Sequence, residues 1–236
     1  DSALGRQRRL NSVGESVLQI APNAAAAYSL RSLTGGDPKV VRVRRDTDGG
    51  AGDNDEQDFT ASGISSGALV AFVGSGNDGF VETWYDQSGN GNDTVQATAG
   101  NQPKIVSSGS LVAEGGLLFN GDTNFFDIGS SISLGTEFFF TGVLNRNSAV
   151  DANGTIIGND SGGGGNRAFL NTSTNVIALR DGDANIQSSL VPSDSSDSLI
   201  SYQASASSFT FILNGTTNVK SALTGGQSLR YIGGGS

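Results

Sequence analysis

The sequence predicts an all-β protein built as a sandwich or jelly roll. Short apolar stretches recur about every 8–12 residues with turn formers between them, the rhythm of antiparallel strands in such folds. Glycine supplies 35 of the 236 residues, about twice its usual ~7% share, which favours turns over helix interiors. Only 16% of the chain is charged while 36% is hydrophobic. A chain of this length and balance buries a sizeable core, so its glycine-rich stretches read as loops of a folded protein rather than as disorder.

Residues 1–27 differ from the rest and read as an arm or connector ahead of a domain spanning 28–236. Arg6, Arg8 and Arg9 precede a mildly amphipathic stretch carrying Val13, Val17, Leu18 and Ile20, too short to bury its apolar side chains alone. Pro22 and Asn23, four alanines, then Tyr28, Leu30 and Leu33 predict a short helix, with proline in its first turn and Gly35-Gly36 as its stop. Val40 to Arg44 ends in apolar–basic alternation and predicts a strand. Asp46 to Asp58 holds six acids in thirteen residues and predicts a solvated loop, with a cation site as the alternative. Ser65 to Val73 is small and apolar and predicts a helical turn. Phe80 to Tyr85 predicts a strand that runs into a turn rich in glycine and asparagine.

From Ile105 onward the expected elements are short strands. They fall at Leu117–Phe119, Phe125–Ile128, Thr155–Ile157, Arg167–Leu170, Val176–Arg180, Leu199–Ala204 and Phe209–Leu213. Glu137 to Leu144 is strongly apolar and predicts a central strand. Asn214-Gly215 is a hairpin signal. The chain closes on Tyr231-Ile232 and a glycine run, which predicts that a closing strand is supplied elsewhere.

Missing residue types narrow the chemistry. No histidine means no imidazole base, no Ser-His-Asp triad and no imidazole metal ligand. No cysteine means no thiol nucleophile, thiolate metal centre or disulfide. Carboxylates, hydroxyls, amides and a few cations remain. The net charge of −9 argues against a general nucleic-acid binder. No apolar run approaches the ~20 residues of a membrane span, no signal peptide is visible at Asp1, and the chain has no methionine, so the expectation is a processed or partially represented product, or a sequence that does not show the start of its gene.

The most specific local signal is WYDQSGNGND at 84–93. A strand buries one of its aromatics and enters a tight loop, where Gly89 and Gly91 permit positive φ and Asn90, Asn92 and Asp93 tolerate it. The main reading is a structural turn in which Asp86 binds backbone N–H groups. One alternative is a calcium site formed by Asp86, Ser88, Asn90 and Asp93, whose oxygens suit a hard cation although the spacing is not that of a helix-loop-helix calcium loop. The other is glycan contact through Trp84 or Tyr85. Ser161 to Gly165 lacks the Lys-Ser/Thr of a phosphate loop and reads as a strand connection. Asp181-Gly182-Asp183 reads as a turn, with a cation ligand pair as its alternative. A glycosidase would need two facing carboxylates. Glu82, on the same strand face as Trp84, and Glu114 and Glu137 are candidates, each more simply a surface carboxylate.

Several segments together resemble the opening of the α-L-arabinofuranosidase B type catalytic domain, and more closely the related domains of bacteriophage tail-fibre and other structural proteins. They are AAYSLRSL at 26–33, VVRVRRDTDG at 40–49, EQDF at 56–59, the run 68–93 and NQPKIV at 101–106. GLLFNGDTNFFDIG at 116–129, FTFILNGTTN at 209–218 and SLRYIGGGS at 228–236 are similar to laminin-G or concanavalin A-like lectin domains. The resemblance covers about 22–236 and implies a concanavalin A-like jelly roll connected with carbohydrate. The fungal enzymes of this type carry disulfides, which this chain lacks, and the resemblance carries no catalytic carboxylate over to a position here.

The expected function is therefore non-enzymatic: a virion structural or appendage protein, fibre-like, whose lectin-type domain contacts host surface glycans. A glycoside hydrolase of the α-L-arabinofuranosidase type, or a secreted or cell-surface carbohydrate-binding module, is the alternative. No cofactor is expected beyond calcium. The expected partners are other virion proteins and further copies of the chain, a trimer by analogy with phage fibres.

Overall fold

The computed structural model describes residues 16–20, 22–47, 53–112, 116–146, 154–159, 167–170, 175–181 and 184–234. Three short α-helices occur among them, α1 (Val17–Ile20), α2 (Ala61–Ser65) and α3 (Ala68–Val73), with a 3-10 turn at Ala99–Asn101. The strands of the first half are β1 (Lys39–Asp46), β2 (Glu56–Thr60), β3 (Asp78–Trp84), β4 (Thr94–Val95), β5 (Lys104–Ser107), β6 (Ser110–Leu111) and β7 (Phe125–Gly135). The second half adds β8 (Phe138–Asn145), β9 (Gly154–Gly158), β10 (Arg167–Leu170), β11 (Ile177–Asp181), β12 (Ala184–Gln187), β13 (Asp197–Ala204), β14 (Ser208–Leu213), β15 (Thr216–Ser221) and β16 (Gln227–Gly233).

Twelve strands make one antiparallel sheet in the order β12-β11-β10-β9-β16-β7-β4-β3-β1-β2, with β5 and β6 branching from β3. The other four make a second sheet, β15-β14-β13-β8. This is the expected all-β sandwich, and its strands follow the period-2 rule. In β14, Phe209, Phe211 and Leu213 point inward while the residues between them are half-buried. Those side chains meet Ile177, Leu179 and Leu229 of the large sheet in a core between the two layers. Its centre is aromatic: the Phe209 and Phe211 rings lie 4.8 Å apart edge to face, with Tyr202 5.4 Å from Phe211.

A second core lies under the first half of the large sheet. Val41 and Val43 of β1, Val81 of β3 and Phe126 of β7 pack there with Leu69 and Val73 of α3. The helices at 61–73 match the expected helical turn. The Thr60 side chain caps α2 by accepting from the Gly63 N–H. Ile232 of β16 packs against both cores and pairs with Phe126 on one side and Ile157 on the other.

Several expectations are corrected. Residues 22–38 form no helix; they run as an irregular strap whose hydrogen bonds are described below. The acidic stretch is not all loop: Glu56 to Thr60 is β2, paired with β1 so that Glu56 and Asp58 face its cations. Residues 138–145 are not central, since β8 ends the four-stranded order. β16 is interior, bonded to β7 and, at Tyr231 and Ile232, to β9, so the final glycine-rich segment follows a strand with neighbours on both sides rather than an open one. Leu117–Phe119 contributes only a single bridge, Leu118 to Lys104. The Asn214-Gly215 hairpin is present, with φ of 48° and 83° at its two turn residues. Residues 1–15, the 161–165 glycine run, Glu114 and the pair Gly182-Asp183 lie outside the described residues.

Gly79 faces the α3 side of the sheet, where a Cβ would come within 2.8 Å of Val73 Cγ2 and 3.2 Å of Val106 Cβ. Gly79→Ala should cost about 1–3 kcal/mol through overpacking, read as a lower urea midpoint. An unchanged midpoint would show that α3 shifts freely over the sheet.

Candidate functional site

The loop after β3 is a clamp for the strap. Asp86 Oδ1 accepts from the N–H of Ala27 at 2.8 Å and of Ser88 at 2.9 Å. Its Oδ2 accepts from Ser88 Oγ at 2.7 Å and from the Asn92 N–H at 3.1 Å. Asp93 Oδ1 takes the Asp86 N–H at 2.8 Å. Gln87 is buried and works like a missing strand: its Oε1 accepts from the Leu33 N–H, and its Nε2 donates to the carbonyls of Ser29 and Arg31. Asn90 Nδ2 donates to Ala24 and Ala25 O, Asn92 Nδ2 donates to Ala25 O, and the Tyr28 hydroxyl donates to Asn92 O. Gly89 and Gly91 take φ of 88° and 73°, which lets the loop fold back on the strap.

The structure thus brings Asp86, Ser88, Asn90 and Asp93 into one loop, as expected. Both oxygens of Asp86 meet N–H and O–H donors, and the Asn90 amide nitrogen is turned toward the strap. A calcium ion would have to compete with two hydrogen bonds at each Asp86 oxygen it took as a ligand. Among the described residues, no three acidic side chains are grouped to hold a metal.

A bulge decides where the two aromatics go. Arg42 pairs with Thr83 and Val43 with Val81, so Glu82 is an extra residue that breaks the alternation. Trp84 then lies opposite Val41 on the core side, with its ring 5.6 Å from Tyr28 and 6.0 Å from Phe126. This corrects two expectations: Trp84 is a packing residue rather than a surface platform, and Glu82 does not share its face.

Tyr85 lies at the outer surface of the β1–β2–β3 sheet. Its hydroxyl donates to Asp58 Oδ1 at 2.8 Å. Asp58 also binds Lys39 at 2.6 Å and Arg42 at 3.4 Å, and Arg42 Nε reaches Glu56 at 2.9 Å. Burial pushes the Asp58 carboxyl up, but bonds from Lys39 and Tyr85 and the charges of Lys39 and Arg42 outweigh it, so Asp58 sits below its usual range. Burial and then Asp58 push the Tyr85 phenol up to about 12, so it stays a donor at neutral pH. This constellation was not expected as a site. Its signal was Arg42 alternating between valines on one strand, with Glu56 and Asp58 two residues apart on the next.

Further along the same strands, Asp46 and Asp78 are cross-strand partners beside a polar cleft of about 260 Å³ lined also by Asn77 and Ser108. Asp78 is held low, chiefly by Lys104 at 2.6 Å. Glu137 sits exposed in the β7–β8 turn, and Glu82 binds Thr83. Asp181 closes the far end of the sandwich, accepting from the Thr224 N–H and Oγ1 and from Gln227 Nε2. Among the described residues no helix is long and apolar enough to cross a membrane.

No protein-family profile matches the chain, and no curated protein matches it in sequence. Solved structures do match in fold. A GH54 α-L-arabinofuranosidase variant soaked with 4-nitrophenyl α-L-arabinofuranoside superposes with a TM-score of 0.60 at 13% identity, over 94% of this chain and 61% of its own. The GH54 enzyme soaked with a cyclic sulfate inhibitor gives 0.58 at 13% identity over the same shares. An arabinofuranosidase complexed with arabinofuranosyl-α-1,2-xylobiose gives 0.59 at 13% identity, over 95% of this chain and 62% of its own. The chain therefore spans about three fifths of each of these proteins. At this identity the likeness establishes the fold alone.

Asp86→Ala removes four acceptor contacts at the clamp and should destabilise the fold by about 2–4 kcal/mol, the range for losing charged, part-buried hydrogen bonds. Melts with chelator and with added calcium should leave the wild-type midpoint unchanged; a calcium-dependent rise would show that an ion replaces the bonds described.

Asp58, Asp78 and Asp127 are all held below the ordinary carboxylate range, Asp127 chiefly by its two bonds to Arg230. A folded value below the unfolded 3.8 gives stability that is full above about pH 4 and lost as pH falls through the folded value. The melting temperature should hold steady from neutral pH down to about 5 and fall below about 4. Asp127→Asn should flatten part of that fall, and an equally steep fall in the variant would remove Asp127 as a cause.

Proposed function

We propose that this protein is a non-enzymatic glycan-binding β-sandwich domain that serves as a structural or appendage component, fibre-like, of a bacteriophage virion. The observation that carries the glycan reading is Tyr85. An aromatic ring on a strand-borne surface, flanked by Asp58, Arg42, Lys39 and Glu56 in fixed positions, offers what sugars need: an apolar face and rigid polar partners. The virion assignment rests on the resemblance of residues 26–106 to tail-fibre domains.

The carboxylates support binding over hydrolysis. A glycosidase needs one carboxyl group raised enough to act as an acid beside a second that stays ionised. Asp37, Asp58, Asp78 and Asp127 are all displaced downward, which suits none of them to the acid role. Asp58 is further held by Lys39 and Arg42, which favours its charged form. The fold match to arabinofuranosidases favours hydrolysis of arabinofuranosides as the second reading, but a fold of this kind hosts many functions.

A glycan array probed with the full chain tests the proposal. Binding to at least one surface polysaccharide is expected, weakened roughly tenfold or more by Tyr85→Ala, about 1.4 kcal/mol. Aryl α-L-arabinofuranoside should not be turned over. Turnover that disappears on changing a single carboxylate would install the hydrolase reading instead. Antibody labelling of purified particles addresses the virion assignment separately.

A further inference from the structure

The outer face of the four-stranded sheet gathers four exposed large apolar side chains. Val143 lies beside Leu199 in one cross-strand row, and Phe139 and Val219 stand at the two ends of another. Ile212 lies between the rows. Phe139, Val143, Leu199 and Val219 are 50–70% exposed. The intervening outward positions are threonine, serine and glutamine. These rows carry no charged side chain; Asp197 stands at the corner, bonded to Asn145.

We infer that this face is a self-association surface on which a second copy of the chain packs about a two-fold axis. Charge selects the occupant. The chain carries 23 acidic against 14 basic residues, so two copies repel least where they meet on an uncharged surface; the rows themselves present no carboxylate, and Asp197 and Glu137 stand only at their margins. A cationic partner would be drawn to the acidic surfaces instead. A polysaccharide would want a row of rings, and the face offers one, Phe139.

Geometry sets the symmetry and the strength. With the axis along the strands, midway between β13 and β14, Phe139 of one copy lies on Val219 of the partner subunit, and the reverse contact forms at the other edge. A patch that meets itself closes at two subunits, whereas a ring of three needs two different complementary patches. The dimer therefore departs from the trimer expected by analogy with fibres. Four strands about 4.8 Å apart and about seven residues long give roughly 450 Å² per copy. The two faces bury roughly 900 Å², below the ~1,600 Å² of a standard stable interface, so association is weak and depends on concentration. This inference is independent of the glycan reading, which concerns the opposite half of the molecule.

Sedimentation equilibrium of the full chain, from micromolar to near-millimolar loading, tests it. The expected result is a monomer that passes to a dimer as loading rises. Added salt should strengthen the dimer, because it screens repulsion between two copies of like charge. Val143→Glu and Phe139→Glu, at exposed positions, should each weaken association at least tenfold while the melting curve stays unchanged. Tyr85→Ala should leave association intact. A wild-type chain that remains monomeric, a trimer mass, or a dimer insensitive to both substitutions would overturn the proposal.

Discussion

A backbone that lies against a sheet without joining it must still find a partner for each buried N–H and C=O, and the first half of this protein is organised around that requirement. Residues 24–33 form no ladder. Their carbonyls and amides are met by the side chains of Asp86, Gln87, Asn90 and Asn92, together with the Gln87 amide, which donates to Ala27 O. Those bonds fix the strap, the strap places Tyr28 against Trp84, and Trp84 closes the core against Phe126. Tyr85, the next residue, is thereby held at the surface beside Asp58. The clamp and the candidate binding face are one continuous piece of covalent chain, so an error in the first is carried into the second.

What could be read from the sequence follows the range of the forces involved. β13 and β14 were legible because alternation is local and strong. The hairpin at Asn214-Gly215 was legible because few residue pairs accept two positive φ values. The strap was not: proline followed by four alanines has a helical preference of its own, and what overrides it comes from side chains some sixty residues later. The bulge at Glu82 was invisible for a different reason. A one-residue slip reverses every following side chain yet leaves no mark in composition. It moved Trp84 inward, and it left Tyr85 as the expected glycan contact that the structure keeps at the surface. The ion-paired ladder at Arg42, Glu56 and Asp58 was hidden inside a stretch whose acidity suggested a loop.

The two exposed sheet faces are built on opposite electrostatic plans. Over the first half, cations of β1 are interleaved with acids of β2, and each charge is answered across the strands. Such exposed pairs add little stability individually, but they hold a rigid polar pattern. Over the central rows of the four-stranded sheet no side chain is charged, and apolar side chains stand in water. One face suits a hydrated ligand with many hydroxyls, and the other suits a surface as uncharged as itself. The chain has no histidine, so neither pattern is retuned by side-chain titration around pH 6–7.

The central place of β16 bears on how the molecule comes into being. Residues 227–233 sit between β7 and β9, and Ile232 touches both cores. Until that segment leaves the ribosome, β9 to β12 have no backbone link to the strands made before them, and the inner edges of both half-sheets stand open. The first half can gather its own core during synthesis, but the continuous sheet cannot close until translation has passed residue 233. Assembly is thus held back by a contact between segments about a hundred residues apart, the kind of closure that folds slowly and exposes sticky strand edges while it waits.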